Sequence, residues 1–577
     1  MKSERRRIWN CLLVAVLVTV LAFVSGACAA DTYTVCPSGC NYTSIQAAID
    51  DAQPGDTIIV RDGTYTENMV VDVVNLTLQS EHGSVSTTVL AAVNTSDVFR
   101  VTANSVTITG FTVRNAIDSA SGIHLHAVHH CTVSGNNASD NYRGIYLYSS
   151  SNNNLTGNTA NSNKQPSIYL SSSSNNNNLT GNIANSNNFY GIYLHSSSNN
   201  NNLTGNTANS NNFYGIYLDS SSNNNTLVGN TADSNSYRGI FLWSSSNNSL
   251  TGNTASNNSY GIYLDYYSSN NNLTGNTALN NSYHGIYLYS SSNNNLTGNT
   301  ALNNFYGIYL DYYSSNNSLT GNTISNNSNS GISLYSSSDN DLTGNNVSNN
   351  YRGVYLSSSS NDNHIYNNYF DNAINAYDDG NNTWNISKTS GTNIISGLWL
   401  GGNYWSDYTG KDTDSDGIGN TRLPYNSSGN ILNGGDCLPL VYPPIFDTNE
   451  GNYPSISGNH NGTITPFYDI NVSVLYTYPC PGTGGQAEYV KIWNSTTGWN
   501  VTATWDGYTG DWHNLTFNNS FTLYANETYN YTIRTGSYPQ IIHEPSWNAT
   551  GGVITCTEFV DLNGQQHEGW IPAIRLC

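Results

Sequence analysis

Three aspartates near residue 410 have the spacing of an oxygen-donor loop for a cation. Asp412, Asp414 and Asp416 alternate along the chain, and Gly417 follows them. Alternate carboxylates can converge on a hard cation such as calcium, and a glycine permits the sharp turn that this requires. The twelfth position of the loop is Leu423 rather than Glu, which excludes a complete helical calcium hand. We expect a structural calcium ion here, with a solvated acidic turn as the alternative.

A second set of chemically active residues recurs at one position of a sequence repeat. The position after the tetrad Gly-Ile-Tyr-Leu and its variants holds His195, Asp219, Trp243, Asp265, Tyr289, Asp311 and Tyr335. Aromatic faces stack on sugar rings, and carboxylates accept hydrogen bonds from hydroxyls. With the tetrad tyrosines included, the pattern predicts a carbohydrate-binding column of Tyr217, Asp219, Trp243, Tyr263, Asp265, Tyr289 and Asp311. The alternative is that stacked aromatic residues only stabilise the surface.

The same column contains the candidate residues for catalysis. Asp219 and Asp265 are two repeats apart, which is about 9–10 Å in stacked strands and near the upper end for an inverting pair of carboxylates. Nothing in the sequence raises the pKa of one of them, and Trp243 falls between them. A lyase would require a basic residue beside the aspartates. The few basic residues of the repeat do not align with them. A polysaccharide-degrading glycosidase or lyase is therefore the alternative to binding alone.

His124 and His126 form a candidate metal pair. They are two residues apart on a predicted strand, so both side chains lie on the same face. Imidazole is a suitable ligand for copper and zinc. The pair predicts a copper or zinc site, with ordinary surface histidines as the alternative.

An internal repeat of 22–24 residues determines the elements that position these side chains. The tetrad Gly-Ile-Tyr-Leu begins at Gly144, Gly191, Gly215, Gly261, Gly285 and Gly307, and a Leu-Thr-Gly-Asn motif runs in phase with it. Gly, Asn and Ser interrupt each unit every few residues, which excludes pairs of helices. Each unit instead holds two or three short strands. Its few apolar residues become a core only when units stack about 4.8 Å apart.

This repeat predicts an all-β fold: a right-handed parallel β-helix solenoid of 22–24-residue coils, followed by a β-sandwich domain. Ser44 is predicted to cap a helix over residues 45–52 that covers the first coil. The asparagine that ends each Leu-Thr-Gly-Asn motif is expected to hydrogen-bond up and down the stack. It recurs at Asn158, Asn182, Asn206, Asn230, Asn253, Asn276, Asn299, Asn322 and Asn345.

Charge and targeting signals limit the location and the partners of the chain. The formal net charge of -21 argues against nucleic acid, because phosphate binding requires clustered Lys and Arg. Residues 1–30 combine a basic start, an apolar run and small residues, the pattern of a secretory signal peptide. An uncleaved membrane anchor and a lipid on Cys28 are the alternatives. No second apolar run is long enough to span a membrane. We expect a secreted, extracellular or cell-surface protein, with no membrane span after signal removal.

Several stretches resemble a known family. Residues 45–60, followed by Asp62-Gly63-Thr64-Tyr65, resemble the start of pectin-lyase-like β-helices. The run Gly110-Phe-Thr-Val-Arg-Asn115 and the repeated motifs are similar to the NosD-like branch of that superfamily. Residues 402–408 and 412–417 are similar to the end of NosD-like proteins of methanogenic archaea. The resemblance covers about residues 43–442. It implies a β-helix of the carbohydrate-binding and sugar-hydrolysis type, and the branch is associated with copper handling for a periplasmic reductase.

A different unit follows the repeat. Pro443-Pro444 marks the boundary, and strand-like runs then alternate with turns from Ile470 to Phe559, which is typical of a β-sandwich. The segment Arg534-Thr-Gly-Ser-Tyr-Pro-Gln540 resembles a module of methanogen surface proteins. The predicted domains are a signal peptide over 1–30, the β-helix over 31–445 with its helical cap and calcium-type loop, and the β-sandwich over 446–577.

These features together predict a non-catalytic protein that binds glycans or cell-envelope components. The expected partners are cell-envelope or extracellular polysaccharide or glycoprotein. Calcium is the expected structural cofactor, and NosD-like copper handling is a further alternative. Asn-X-Ser/Thr sequences in most coils also predict a glycoprotein. Cys36 and Cys40 are close enough to form a small disulfide loop, and Cys131 is expected to be a free thiol.

Overall fold

The computed structural model describes residues 30–357, 359–414, 416–442, 445–451, 456–480, 487–505, 514–536 and 538–577. The predicted signal peptide, apart from its last residue, and the Pro443-Pro444 step lie outside the described residues. The chain divides into two compact units, Met1–Ser314 and Ser315–Cys577. Within the described part of the chain, no helix is long and apolar enough to cross a membrane.

A short capped helix follows the first strand of the first unit, Thr32–Val35. It spans Ile45–Asp51, and the hydroxyl of Ser44 accepts a hydrogen bond from the N–H of Ala47 at 3.3 Å. This hydroxyl satisfies one of the N–H groups that a helix start leaves without a partner. The predicted helix is confirmed to within one residue at its end. The predicted disulfide between Cys36 and Cys40 is also confirmed.

After the helix the chain winds into coils whose strands pair in parallel, coil to coil, in three sheets. The first sheet contains, in order, Thr32–Val35, Thr57–Val60, Thr77–Ser80, Thr107–Thr109, Thr132–Ser134, Asn154–Thr156, Asn178–Thr180, Asn202–Thr204, Thr226–Val228, Ser249–Thr251, Asn272–Thr274 and Asn295–Thr297. The second sheet contains Met69–Val71, Phe99–Val101, Ser121–His126, Arg143–Tyr148, Ile168–Ser171, Ile192–Leu194, Tyr214–Leu218, Arg238–Trp243, Tyr260–Asp265, His284–Tyr289 and Tyr306–Asp311. The third sheet contains Gly63–Thr66, Thr87–Leu90 and Thr112–Arg114, then single bridges, then Thr277–Leu279 and Thr300–Leu302.

Small apolar residues of each coil fill the interior. Leu203, Ala208 and Ile216 are completely buried, and the matching positions of neighbouring coils are buried too. Close packing also explains the glycine that begins each tetrad. A Cβ atom on Gly215 would lie 2.7 Å from the carbonyl oxygens of Ala208 and Gly239. Glycine therefore fits best where the chain passes this close to its own backbone, and the one serine at this position, Ser167, has its hydroxyl against the carbonyl of Ala160.

Buried asparagines join each coil to the next. The N–H and the Nδ2 of Asn206 both donate to Oδ1 of Asn230, at 2.9 and 3.0 Å, and this Nδ2 also donates to the carbonyl of Leu179 at 2.8 Å. Asn182 makes the same pair of bonds to Asn206. The predicted stack of asparagines is confirmed. In this unit the asparagine ladder consists of Asn136, Asn158, Asn182, Asn206, Asn230, Asn253, Asn276 and Asn299.

The second unit begins with coils of the same kind. Their strands in the first type of sheet are Ser318–Thr320, Asp341–Thr343 and His364–Tyr366, and those in the second type are Ser330–Tyr335, Arg352–Leu356 and Ile374–Asp378. The third type contains Thr323–Ser325, Asn346–Ser348, Tyr369–Asp371 and Tyr404–Trp405. A strand pair, Thr389–Ser390 with Trp399–Leu400, and a 3-10 turn over Ser427–Gly429 lie in the irregular segment that follows the coils.

The unit ends in antiparallel sheets that share one apolar core. One sheet contains Phe446–Asp447, Ile574–Leu576, Ile470–Thr477 and Asn514–Leu523. The other contains Asn500–Thr504, Ala487–Trp493, Tyr529–Thr535, Gly458–Pro466, Gly552–Asp561 and Ser546–Ala549, with Gln566–His567 beside Gly552–Asp561. Ile541–Ile542 pairs with Ile571–Pro572. Val472 and Leu475 of the first sheet and Val490 and Ile533 of the second belong to the same buried cluster. The predicted fold class is therefore confirmed, while the predicted domain bounds stay predictions.

Asn206→Ala is expected to destabilise the first unit. The change leaves the N–H and the Nδ2 of Asn182 without their shared acceptor in the interior, and a buried group left without a partner costs about 1–3 kcal/mol. The midpoint of urea unfolding should therefore fall. Asn202→Ala is the matched control, because this side chain lies on the exposed surface of the same coil. Equal midpoints for the two variants would contradict a structural role for the ladder.

Candidate functional site

The second sheet of the first unit carries two adjacent columns of side chains on its outer face. The third residue of each tetrad forms the aromatic ladder, which contains His124, Tyr146, Tyr169, Tyr193, Tyr217, Phe241, Tyr263, Tyr287 and Tyr309. The residue after each tetrad forms the outer column, which contains His126, Tyr148, Ser171, His195, Asp219, Trp243, Asp265, Tyr289 and Asp311. All residues predicted to bind carbohydrate lie in these two columns.

The rings of the aromatic ladder stack on one another. Tyr217 lies between Tyr193 and Phe241, with both centroid distances at 4.8 Å and the planes within 6° of parallel. Tyr263 lies between Phe241 and Tyr287, at 5.3 and 4.5 Å. Tyr217 and Tyr263 are each only 7% exposed. Their predicted role as sugar platforms needs correction, because neighbouring rings already cover the faces that a sugar would contact.

The two catalytic candidates have different surroundings. Asp219 accepts a hydrogen bond from the hydroxyl of Tyr193 at 2.8 Å and contacts Nδ1 of His195. Burial raises the pKa of Asp265 above its usual range, which is the direction that a general acid requires. The register of the coils places Trp243 between the two aspartates. Their assignment as a catalytic pair stays a prediction.

Two coils carry paired tyrosines directly after the outer-column aspartate. These residues are Tyr266, Tyr267, Tyr312 and Tyr313, and they are 55%, 69%, 53% and 69% exposed. Asp265 accepts a hydrogen bond from the N–H of Tyr266 at 2.7 Å, and Asp311 accepts one from the N–H of Tyr312 at the same distance. Each aspartate therefore anchors the turn from which its tyrosine pair projects.

The paired tyrosines have a left-handed backbone, which is unfavourable for bulky residues. Their φ angles are 50°, 63°, 49° and 65°. A residue with a Cβ atom loses roughly 1–2 kcal/mol in this conformation. Other coils place serine at the same positions, for example Ser220 and Ser221 with φ angles of 49° and 64°. Since the turn imposes the same backbone on serine, the feature that sets these two coils apart is the replacement of small side chains by large rings that project into solvent.

These tyrosines and two outer-column residues form an aromatic strip that comprises Trp243, Tyr266, Tyr267, Tyr289, Tyr312 and Tyr313. The ring of Trp243 lies 5.9 Å from that of Tyr266, and Tyr289 stacks on Tyr312 at 5.1 Å with nearly parallel planes. Neighbouring exposed rings of this kind make the strip a candidate binding surface. The sequence predictions included Trp243 and Tyr289 but missed the tyrosine pairs. The available signal was the replacement of Ser-Ser by Tyr-Tyr after an aspartate in two coils.

The aspartates of the predicted calcium loop converge. Ligand oxygens of Asp412, Asp414 and Asp416 lie within 4.8 Å of one another. The N–H of Gly417 donates to Asp412 at 2.8 Å, and its φ of 85° makes the predicted sharp turn. The ammonium group of Lys388 contacts Asp416. A bound cation would therefore compete with this lysine for one carboxylate.

The predicted metal pair lies at the start of the two columns. Nδ1 of His124 is 2.7 Å from a carboxylate oxygen of Asp97, and the rings of His124 and His126 are 5.4 Å apart. The other nitrogen of His124, Nε2, and Nδ1 of His126 are buried without a hydrogen-bond partner. Burial, assisted by Arg100, lowers the pKa of His126. A cavity of about 500 Å³ is lined in part by Asp97, Arg100 and His124.

This pair has part of what a copper site would require. Two imidazole nitrogens suit copper, and a carboxylate behind one of them is the usual outer partner of a metal-binding histidine. Among the residues with described positions, no third His, Cys, Asp or Glu brings a ligand atom into the same cluster. The two histidines by themselves would provide copper or zinc with one ring nitrogen each.

A sequence model of the family described as "Periplasmic copper-binding protein (NosD)" matches residues 49–236 and 232–410. The matched span is more than half of the chain. The chain belongs to the NosD family. The predicted NosD-like resemblance is thus confirmed, whereas the archaeal origin and the surface-protein resemblance of residues 446–577 stay predictions. No curated protein matches this NosD-family chain significantly.

Solved structures with related folds include two carbohydrate-active proteins. The mannuronan C-5 epimerase AlgE6 A-module of Azotobacter vinelandii has 16% identity and a TM-score of 0.43, over 59% of this chain and 94% of that chain. The catalytic domain of a GH87 alpha-1,3-glucanase, solved with tetrasaccharides, has 13% identity and a TM-score of 0.39, over 58% of this chain and 70% of that chain. At these identities the likeness concerns the fold alone.

His284→Tyr is expected to reduce the loss of stability in acid. His284 stacks on Tyr260 and Tyr306, and burial lowers its pKa to about 4. The unfolded chain takes up this proton near pH 6.5, so it binds more protons than the folded chain between pH 6.5 and 4. The contribution of His284 to the free energy of unfolding is therefore fully present above pH 6.5. It decreases as the pH falls towards 4, by at most about 3 kcal/mol.

The measurement is urea unfolding of the natural protein and the variant from pH 7 to pH 4. The tyrosine matches the residue of the adjacent coils and does not titrate in this range. The gap between the two midpoints should shift in favour of the variant as the pH falls. A gap that stays constant with pH would contradict the neutral, buried histidine.

Proposed function

We propose that this protein is a secreted or cell-surface β-helix that binds glycans or cell-envelope polysaccharide without cleaving them. The binding surface is the aromatic strip together with Asp265 and Asp311. The observation that carries this proposal is the placement of exposed tyrosines at left-handed positions that hold serine in other coils. The rings supply stacking faces, and the aspartates supply acceptors for hydroxyl groups.

The charge of the strip favours an uncharged glycan over an anionic one. None of the six strip residues is basic, and two carboxylates lie directly beside them. Arg238, a basic residue of the neighbouring coils, has its guanidinium 4.0 Å from the ring centroid of Phe241 and 4.4 Å from that of Tyr263. This arginine therefore engages the aromatic ladder. An anionic polysaccharide would meet repulsion without a matched cation.

The double change Tyr266→Ser and Tyr267→Ser tests the proposal. It gives this coil the serine pair that Ser220 and Ser221 form at the same left-handed positions of another coil, so the unfolding midpoint should stay about equal. Affinity for a retained neutral polysaccharide should fall at least tenfold, because two stacking faces are lost. Affinity electrophoresis on a panel of polysaccharides measures retention, and urea unfolding measures stability.

Tyr237→Ser is the control, since this tyrosine is 52% exposed but lies outside the strip. It should leave retention unchanged. If retention is equal in all three proteins, the strip is not the binding surface. Asp219→Asn and Asp265→Asn separate binding from catalysis: released sugar that disappears in either variant would replace this proposal with a polysaccharide-degrading enzyme.

Metal binding at two places is the second proposal. Calcium at Asp412, Asp414 and Asp416 would hold the irregular segment after the coils, and the convergence of three carboxylates favours it. Copper or zinc at His124 and His126 would give the chain a metal-handling role. Two buried nitrogens without hydrogen-bond partners and the description of the family favour this role.

Each metal variant serves as the control for the other. Asp414→Ser should remove the rise in melting temperature that calcium produces and that a chelator reverses, while leaving copper binding intact. The double change His124→Ala and His126→Ala should remove one equivalent of Cu(II) from the electron paramagnetic resonance spectrum, while leaving the calcium effect intact. Absence of either effect in the natural protein would reject the corresponding metal.

A further inference from the structure

A pocket at one end of the antiparallel sheets has walls of aromatic rings. Its volume is about 360 Å³, and Trp499, Phe521, Tyr524 and Tyr529 line it. They come from the turn after Ala487–Trp493, from the end of Asn514–Leu523 and from the following turn and strand. Glu527 is the charged residue among the described residues that line the pocket. The sequence predictions assigned no ligand to this part of the chain.

The rings form a corner rather than a stack. Trp499 is inclined by 48° to Phe521 at 5.2 Å between centroids, and it is nearly perpendicular to Tyr529 at 5.8 Å. Tyr529 is buried, and Tyr524 is exposed at the rim. Inclined rings present more than one face to the same point in space. A small convex group can therefore contact several faces at once.

The carboxylate of Glu527 is held in place by two donors. Nδ2 of Asn494 donates to its Oε2 at 2.9 Å, and the hydroxyl of Tyr529 donates to the same oxygen at 3.0 Å. Burial raises the pKa of Tyr529 to about 12, so this hydroxyl keeps its proton at neutral pH. The carboxylate is therefore fixed in the pocket, and its charge has no Lys, Arg or His beside it among the lining residues.

From this arrangement we propose that the pocket binds an alkylated ammonium group, such as that of choline. The faces of aromatic rings attract cations, and a cup of rings suits a cation that carries methyl groups. The fixed carboxylate adds an opposite charge at the edge of the cup. The ammonium group contacts Trp499, Phe521 and Tyr524, and the methyl groups replace water against the rings.

The same features disfavour the other ligand classes. An anion would meet an unmatched carboxylate. A sugar is the nearest competitor: the Asn494 amide and the Tyr529 hydroxyl already donate to Glu527, which leaves the hydroxyls of Thr497, Thr522 and Tyr524 as donors among the lining residues. A neutral apolar ligand would gain nothing from the carboxylate. The combination of charge and inclined rings selects a soft organic cation.

Titration calorimetry on the full chain tests this site, with choline chloride as the probe and 3,3-dimethyl-1-butanol as its neutral isostere. Choline should bind at one site per chain, and the isostere should bind at least tenfold more weakly. Glu527→Gln should weaken choline binding at least tenfold, and Tyr524→Ala at the exposed rim should weaken it three- to tenfold. Glu544→Gln is the control, because this exposed glutamate lies outside the pocket.

Equal affinity for choline and the isostere would overturn the proposal and leave an apolar pocket. Competition by methyl glucoside would overturn it in favour of a sugar site, and absence of choline binding at tens of millimolar would reject it outright. The circular dichroism spectrum of each variant must match that of the natural protein. Because Tyr524 is exposed, its variant keeps the test valid if a change at Glu527 disturbs the fold.

Discussion

The regular coils of the first unit, from Asn136 to Asn299, depend on a buried amide that both donates and accepts. At the bends, where strand pairing is interrupted, the asparagine ladder supplies an acceptor for one backbone N–H and a donor for a carbonyl of another coil. The ladder amides thereby supply hydrogen-bond partners for backbone groups that are buried at these bends. The same bonds fix the register, because a coil shifted by one residue would leave a complete set of these groups without partners.

Because the register is fixed, equivalent residues of successive coils stack in a column. The neighbours in the column determine which surfaces of a side chain remain open to a ligand. A tyrosine that alternation alone places on the outer face becomes one ring in a stack, covered above and below by its neighbours. Tyr217 and Tyr263 are consequently buried within the aromatic ladder, and their ring faces are not open to a ligand. The residues that remain available to a ligand are those that project beyond the stack, at the turn where each coil leaves the sheet.

The repeat was enough to predict the strands, the core and the asparagine ladder, because each follows from a local period. It was not enough to predict which aromatic rings stay exposed, since alternation gives the side of a strand but not what covers that side. The left-handed positions of Tyr266 and Tyr312 follow from the shape of the turn rather than from their own preference. The pocket around Glu527 was beyond sequence reasoning because its walls come from separate turns that only the fold brings together.

The hydrogen bonds that join one coil to the next are the same along the ladder, and this has a genetic consequence. Since each coil of the asparagine ladder offers its neighbour the same donors and acceptors, an in-frame duplication or loss of one such coil leaves both new neighbours correctly matched. The number of coils is thus free to drift between lineages with little effect on folding. The aromatic strip lacks this freedom: its tyrosine pairs are two coils apart, and a coil gained or lost between them would change their separation. Copy number should therefore vary outside this window and stay fixed within it.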